Sequence, residues 1–270
     1  MAVGFITGRF GADRTDKILE LCFEEAKRED KKPIYILVPE KFTYEMEKRL
    51  SEKLENEKNI DPNFRIRVVS FSTLSKIVFT NVGGLKERRL TTSARSLLTF
   101  KAMDLVSKDL ITFKSDDFKM GFVNNIMDMI IEFKQNDFSV TDIFLLTENV
   151  KNESLKFKMQ DLYNIYKSYE NLIDKKYSDT EDTLNIFAQK LDDFESIKGA
   201  TIFVDEYMDF TPAQYLVIEK LVYFSKNIYF SLLTDFKNLH SKMNMFARSN
   251  STILNIKNIC EKHNIPLLGN

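Results

Sequence analysis

Two adjacent acids at the end of an apolar run carry the sharpest chemistry in the sequence. The run is Thr201-Ile202-Phe203-Val204-Asp205-Glu206, and it continues Tyr207-Met208-Asp209-Phe210-Thr211-Pro212-Ala213-Gln214. In nucleotide-driven motors such a strand presents its Asp to magnesium and its Glu to the attacking water. The plainer alternative is that Asp205 and Glu206 only end a strand and open a loop, as acids often do. The ordered pattern around them favours the first reading.

A second segment complements the first. Gly8-Arg9-Phe10-Gly11-Ala12-Asp13-Arg14-Thr15 lies between an apolar run and a helical pattern, the setting that a phosphate loop requires. In G-x-x-x-x-G-K-[S/T] the glycines let backbone N–H groups wrap phosphates, the lysine reaches the outer phosphates and the hydroxyl binds magnesium. Gly8 and Thr15 stand in the expected places, and Gly11 adds freedom. Asp13 replaces the second glycine, adding a Cβ and a negative charge beside the phosphates. Arg14 replaces the lysine with a bulkier, planar cation. A glycine turn between strand and helix also occurs in folds that bind no nucleotide. Together the two segments predict a phosphate-loop ancestor, without predicting present ATP hydrolysis with magnesium.

These residues need a sheet to hold them. Val3–Thr7, Ile34–Val38, Ile66–Phe71, Thr201–Asp205 and Ile228–Leu233 are short, β-branched or aromatic runs, and they read as buried strands. Helical patterns separate them, at about Asp16–Glu29, Thr43–Glu57 and Ser72–Asn81. Strand alternating with helix implies a parallel sheet covered on both faces. From about Thr91 to Phe194 no strand is expected. Asn152–Tyr177 has helical apolar spacing, Ser178-Asp179-Thr180-Glu181 is a cap signature, and Phe122, Met127, Met129, Ile130 and Phe133 read as core. Thr211-Pro212-Ala213-Gln214 is a further helix start.

Composition sets outer limits. Hydrophobic residues make up 43% and charged residues 29% of 270, as in an ordinary globular chain. No apolar stretch is long enough to span a bilayer, and Met1–Thr7 lacks the features of a signal peptide. Cys22 and Cys260 are too far apart in sequence to suggest a disulfide framework. His240 and His263 show no metal spacing. A cytoplasmic protein without membrane contact is expected. The net charge of -1 means that any nucleic-acid binding must come from a local basic surface.

The apolar strand, D-E-Y-x-D and turn to Gln at Asp205–Gln214 resemble the second helicase motif of the UvrD-like superfamily. Val69-Ser70-Phe71-Ser72-Thr73-Leu74-Ser75-Lys76 resembles the segment that contacts single-stranded DNA in those motors. Its hydroxyls and helix start suit phosphates, and Phe71 either stacks on a base or enters the core. Phe230-Ser231-Leu232-Leu233-Thr234-Asp235 stands at the third motif but lacks G-D-x-x-Q-S-I-Y.

A UvrD-like frame with an altered engine is similar to the AddB family. Ile36-Leu37-Val38-Pro39-Glu40-Lys41-Phe42-Thr43-Tyr44-Glu45-Met46-Glu47 resembles its L-V-P-[D/E]-Q-x-T-x-x-M-E stretch. S-F-S-x-L at Ser70–Leu74, Gly83-Gly84, Ile197–Asp205 and F-T-P at Phe210–Pro212 follow in order. The likeness runs from Thr7 to about His263.

The resemblance implies an α/β fold: a RecA-like parallel sheet with helices on both faces and an inserted all-helical subdomain. Residues 1–90 with 195–270 would form the RecA-like domain, and 91–194 the insert. It also implies part of an ATP-dependent helicase–nuclease for double-strand break repair by homologous recombination. Such a chain would pair with AddA, which carries the working motor, while this region holds the emerging strand and scans it for Chi. The family's nuclease domain holds an iron–sulfur cluster on four cysteines, which two separated cysteines cannot build. Family members are several times longer, so the chain is expected to be a fragment without that region.

The family's strand-reading positions carry over to Lys41, Thr43, Phe71, Thr73, Lys76 and Phe210. Lys41 stands where Gln is usual, Thr73 where Arg is usual and Lys76 where an aromatic is usual. Amides and arginine read base edges, whereas lysine mainly supplies charge, so Lys41 and Lys76 suit phosphates. Two rival readings stay open: a nucleotide hydrolase that tolerates Asp13 and Arg14, and a structural brace for AddA with no affinity for single strands.

Overall fold

Each of the five β-branched runs is a strand of one parallel sheet in the computed structural model of the protein. The structure describes residues 1–28, 32–55, 65–84, 88–114, 118–136, 138–173, 177–178, 180–234 and 245–268. Asp179 of the expected cap signature, Asp235 and His240 lie outside the described residues.

Strand and helix alternate at the start: β1 (Ala2–Gly8), α1 (Arg14–Ala26), β2 (Ile34–Leu37), α2 (Thr43–Glu55), β3 (Ile66–Val69) and α3 (Phe71–Val82). Next come β4 (Arg88–Arg89), α4 (Thr92–Leu105), α5 (Met120–Gln135), α6 (Val140–Asn149), α7 (Glu153–Ile173), β5 (Tyr177–Ser178) and α8 (Thr180–Lys190). The chain returns to the sheet with β6 (Thr201–Val204), α9 (Pro212–Phe224), β7 (Asn227–Leu233) and α10 (Ala247–Lys262). The strand order is β1-β7-β6-β2-β3, every pair parallel, with Ala2 opposite Asn227 and Ile34 opposite Thr201. Beyond α10, Leu267 forms one parallel bridge to Val3 on the other edge of β1.

Every residue of β2 and β6 is buried, so both faces of the sheet are covered, as parallel sheets require. Ile18, Leu19 and Cys22 of α1 and Met46 and Leu50 of α2 pack with Ile34, Ile36 and Phe203 in one such layer. Helix ends are fixed by local chemistry. Ser70 leaves the ladder to cap α3, accepting from Thr73 N–H at 3.1 Å, which is why the strand expected to reach Phe71 stops at Val69. At the far end of α1, Arg65 donates to the carbonyls of Glu25 and Arg28 at 3.0 and 2.9 Å, placing positive charge on the helix C-terminus.

The chain divides into two compact units. One comprises residues 1–84, 184–210 and 214–270; the other comprises 85–183 with 211–213. In the second, Ala102, Met103, Val123, Ile126, Ile130, Ile165 and Tyr169 build a helical core. Met129, expected there, is 37% exposed, since one helix cannot turn Met127, Met129 and Ile130 all to the same side. Asp161 of α7 is fully buried and accepts the backbone N–H groups of Ile111, Thr112 and Phe113 at 2.8, 2.6 and 2.9 Å. The stretch expected to lack strands does contain β5, which pairs in parallel with β4. Two residues are too few to show a strand period in sequence.

Candidate functional site

All strands of the main sheet run one way, so the loops after β1, β2, β3 and β6 leave along one edge, where open parallel sheets place ligands. β7 lies between β1 and β6, which sets the phosphate-loop strand about 10 Å from the acid-bearing strand. Thr15, second residue of α1, closes that gap. Its Oγ1 donates to Asp205 Oδ2 at 2.8 Å, and both residues are buried. This is the pairing that a magnesium-holding hydroxyl and carboxylate require. Glu206 N–H donates to Asp205 Oδ1 at 2.9 Å, and Glu206 sits at φ +62°, a left-handed conformation that costs about 1–2 kcal/mol outside glycine.

Burial, and then the charge of Asp205, push the Glu206 carboxyl above its ordinary value of 4.5, with Arg14 opposing. A carboxyl raised in the folded state is favoured when protonated. Its contribution is full below the unfolded value and is lost as pH rises through the folded one. Glu206→Gln is therefore expected to raise the Tm at about pH 8 and to leave it unchanged at about pH 3.5. Thermal unfolding at both values tests this; an equal gain at both, or no gain at the higher pH, contradicts it.

The phosphate loop is folded onto itself. Ala12 N–H donates to the Arg9 carbonyl at 3.1 Å, and Arg14 N–H to the Ala12 carbonyl at 2.9 Å. Asp13 caps α1, its Oδ1 accepting Asp16 N–H at 3.1 Å. A carboxylate thus already holds the positive end of the helix, where a bound anion would gain most. A Cβ placed on Gly8 would meet the Ala12 Cβ at 2.6 Å, so Ala12 lies directly over Gly8. Gly11, at φ +85°, makes the turn, and Arg9 and Phe10 are exposed. Arg14 points its Nε at Ser231 Oγ on β7, 3.3 Å away. The cavity beside Thr15, lined also by Glu45, Arg49 and Glu206, holds about 20 Å³, room for roughly one water. As arranged, these residues do not fit a nucleoside triphosphate: its oxygens would meet Asp13, and the loop's donors are already engaged.

The loops after β2 and β3 meet beside this site. Ser70 Oγ donates to Glu40 Oε2 at 2.8 Å and lies 3.2 Å from Thr73 Oγ1. Thr43 Oγ1 donates to the Glu40 carbonyl at 2.8 Å. Lys41 and Lys76 are exposed, and the Lys41 ammonium lies 4.7 Å from the centre of the Phe42 ring. Phe71 and Phe210 stand elsewhere than on the surface, at 6% and 5% exposure. Phe71 packs edge-on against Tyr207 at 5.7 Å and Phe210 at 6.2 Å, and Phe210 reaches Phe230 of β7 at 6.5 Å. Neither ring offers a face to a base in this conformation. Burial, and then the charge of Glu40, push the Tyr207 phenol up, so it stays protonated. Sequence reasoning passed over Tyr207 and the Glu40–Ser70 link, although both stand inside the family-like motifs.

Cys22 and Cys260 are buried, and burial pushes both thiols up, Cys260 to about 11. Neither suits a thiolate cluster ligand. Among the described residues no three His, Cys, Asp or Glu side chains are placed to share a metal ion, and no helix is long and apolar enough to cross a membrane.

A RecA-like sheet whose first loop meets its acid-bearing strand through Thr15 and Asp205 defines the class: a helicase-like domain of the P-loop kind. Within that class the chain belongs to the AddB N-terminal family. The family model described as "ADDB, N-terminal" matches residues 5–270. The chain is 35% identical over 270 residues to the AddB-type ATP-dependent helicase/deoxyribonuclease chain of Clostridioides difficile (strain 630), covering 99% of this chain and 23% of that protein. It is 33% identical over 266 residues to the protein of the same name from Thermoanaerobacter sp. (strain X514), covering 98% and 23%. For Clostridium botulinum (strain Hall) the identity is 32% over 270 residues, covering 99% and 23%. The chain therefore spans about a quarter of the length of these curated relatives.

Proposed function

We propose that this chain is the strand-holding N-terminal part of an ATP-dependent helicase/deoxyribonuclease that acts in double-strand break repair by recombination. It grips single-stranded DNA at the carboxyl ends of β2 and β3 and contributes to scanning for Chi. Its own nucleotide site is degenerate. ATP-driven movement belongs to the partner AddA, and nuclease and iron–sulfur chemistry to parts of the protein outside this chain.

The observation that carries this reading is the Ser70–Glu40 hydrogen bond. It joins the L-V-P-E loop to the start of α3, so that Lys41 and Thr43 stand on one loop and Thr73 and Lys76 on the helix that abuts it. Thr73 and Lys76 are three residues apart and share a helix face. Two cations and two hydroxyls along one edge suit a phosphate backbone. Phe71 and Phe210 support that surface from beneath. For the nucleotide site, the capping carboxylate of Asp13 and the engaged loop donors support loss of function, while the Thr15–Asp205 pair is what persists from the ancestor.

The test is fluorescence anisotropy of a labelled single-stranded oligonucleotide across a salt series, with and without Mg-ATP. Binding is expected to ignore ATP. Replacing Lys41 and Lys76 together with alanine is expected to weaken it and to reduce the slope of log K against log salt by about 1.4, near 0.7 per lost phosphate contact. An unchanged slope in the double variant would remove the assigned surface. ATP hydrolysis that disappears in Asp205→Asn would overturn the degenerate-site reading.

A further inference from the structure

α8, α9 and the end of α10 enclose a groove of about 650 Å³ that shares no residue with the proposed strand and nucleotide contacts. The volume lies in the range of specific ligand sites, which runs from about 300 to 1,000 Å³. α9 lays Leu216, Glu219, Lys220 and Tyr223 along it, at the spacing of one helix face. Lys220 is drawn aside to Asp192, 2.6 Å away. Glu219 is held from one side only: Lys262 Nζ at 2.8 Å and His263 Nε2 at 2.6 Å both meet Oε1. Glu219 Oε2 has no partner among the described residues. Asn185 lines the same groove, and its buried Oδ1 also accepts no hydrogen bond among the described residues. The Tyr223 ring is 45% exposed and leans on the His263 ring with centres 5.5 Å apart.

The groove therefore offers two acceptors that lack donors, one of them a fixed carboxylate oxygen, beside an aromatic surface. Its neighbouring cations are already engaged. The complementary group is planar, positively charged and rich in N–H donors. A guanidinium has all three properties: it forks onto carboxylates and lies flat on aromatic faces. An ammonium carries the charge but not the plane. A nucleobase amine carries the plane but not the charge.

We infer that this groove receives an arginine side chain presented by a partner protein, its guanidinium lying on Tyr223 and donating to Glu219 Oε2. Burial alone would raise the Glu219 carboxyl, but the hydrogen bonds from Lys262 and His263 outweigh it and hold the group below its ordinary value, so the acceptor is ionised at neutral pH.

The probe is a fluorescein-labelled pentapeptide with one central arginine, compared with lysine and citrulline counterparts. Each is titrated against the chain and followed by anisotropy. The arginine peptide is expected to bind at least about tenfold more tightly than the citrulline peptide, because only the charge differs, and a few-fold more tightly than the lysine peptide. Glu219→Gln is expected to abolish the arginine preference. Because Glu219 also anchors α10, Tyr223→Leu provides a second variant that keeps the carboxylate; it is expected to weaken the arginine peptide about fivefold. Circular dichroism checks that each variant is folded, and Glu153→Gln, on α7, is expected to change nothing. Equal binding of the arginine and citrulline peptides, absence of binding, or an arginine preference retained in Glu219→Gln overturns the assignment. So does tighter binding of a labelled oligocytidine than of the arginine peptide.

Discussion

Phe71→Ala is expected to lower the unfolding free energy of the chain by about 3–5 kcal/mol, the usual cost of emptying a buried phenylalanine site. Phe71 is 6% exposed, and its neighbours Tyr207 and Phe210 meet it edge-on. They belong to the loop that carries Asp205 and Glu206, so the cavity would loosen the strand edge and the acid pair together. Urea unfolding followed by circular dichroism gives the magnitude. Phe71→Leu separates support from stacking. It keeps most of the volume and is expected to cost under about 1.5 kcal/mol. If the ring only supports the surface, Phe71→Leu binds a single strand nearly as the parent does. A loss of affinity of about 1–3 kcal/mol in a stable Phe71→Leu would mean that the ring touches a base.

Asp161→Ala is expected to be comparably severe in the helical unit. The carboxylate is fully buried and is the acceptor for three consecutive backbone donors, at Ile111, Thr112 and Phe113. Its removal leaves those N–H groups without a partner, at about 1–3 kcal/mol for each one that water cannot reach. The segment is partly exposed, so a net loss near 3–4 kcal/mol is expected rather than the full sum. Asp161→Asn keeps one carbonyl oxygen and should fall between. Hydrogen exchange supplies a local reading: the amides of residues 111–113 lose protection first. A loss under about 1 kcal/mol would show that the loop is held by something other than this carboxylate.

How far the sequence foretold these features depends on whether the signal was local. The strands were legible because Ile34–Leu37 and Thr201–Val204 are β-branched or aromatic throughout, as a strand buried on both faces must be. The meeting of Thr15 and Asp205 was legible because each stands in a motif with its own spacing. Asp13 was legible only as a departure from a pattern; that it caps α1 follows from the backbone around it. Phe71 was ambiguous in principle, since an apolar residue at a helix start just after a strand serves a base or the core equally well. Asp161 gave no signal: it is one acid in a helical stripe, and its three partners lie some fifty residues earlier. The groove at Glu219 was equally hidden, because α9 shows its own periodicity while the lysine and histidine that hold the carboxylate arrive from the end of α10.

The sheet order also has a consequence for the newly made chain. β1 is the first strand to leave the ribosome, yet its neighbour is β7, with Ala2 opposite Asn227, and the bridge on its other edge comes from Leu267. At roughly 5–20 residues per second, about 10–45 s pass before any strand can pair with it. During that interval Val3-Gly4-Phe5-Ile6 stays an unpaired apolar edge, while the helical unit has its whole core available and can form early. Slower elongation lengthens that exposure, so soluble yield of the chain should depend on translation rate and on holding chaperones more than its equilibrium stability would suggest.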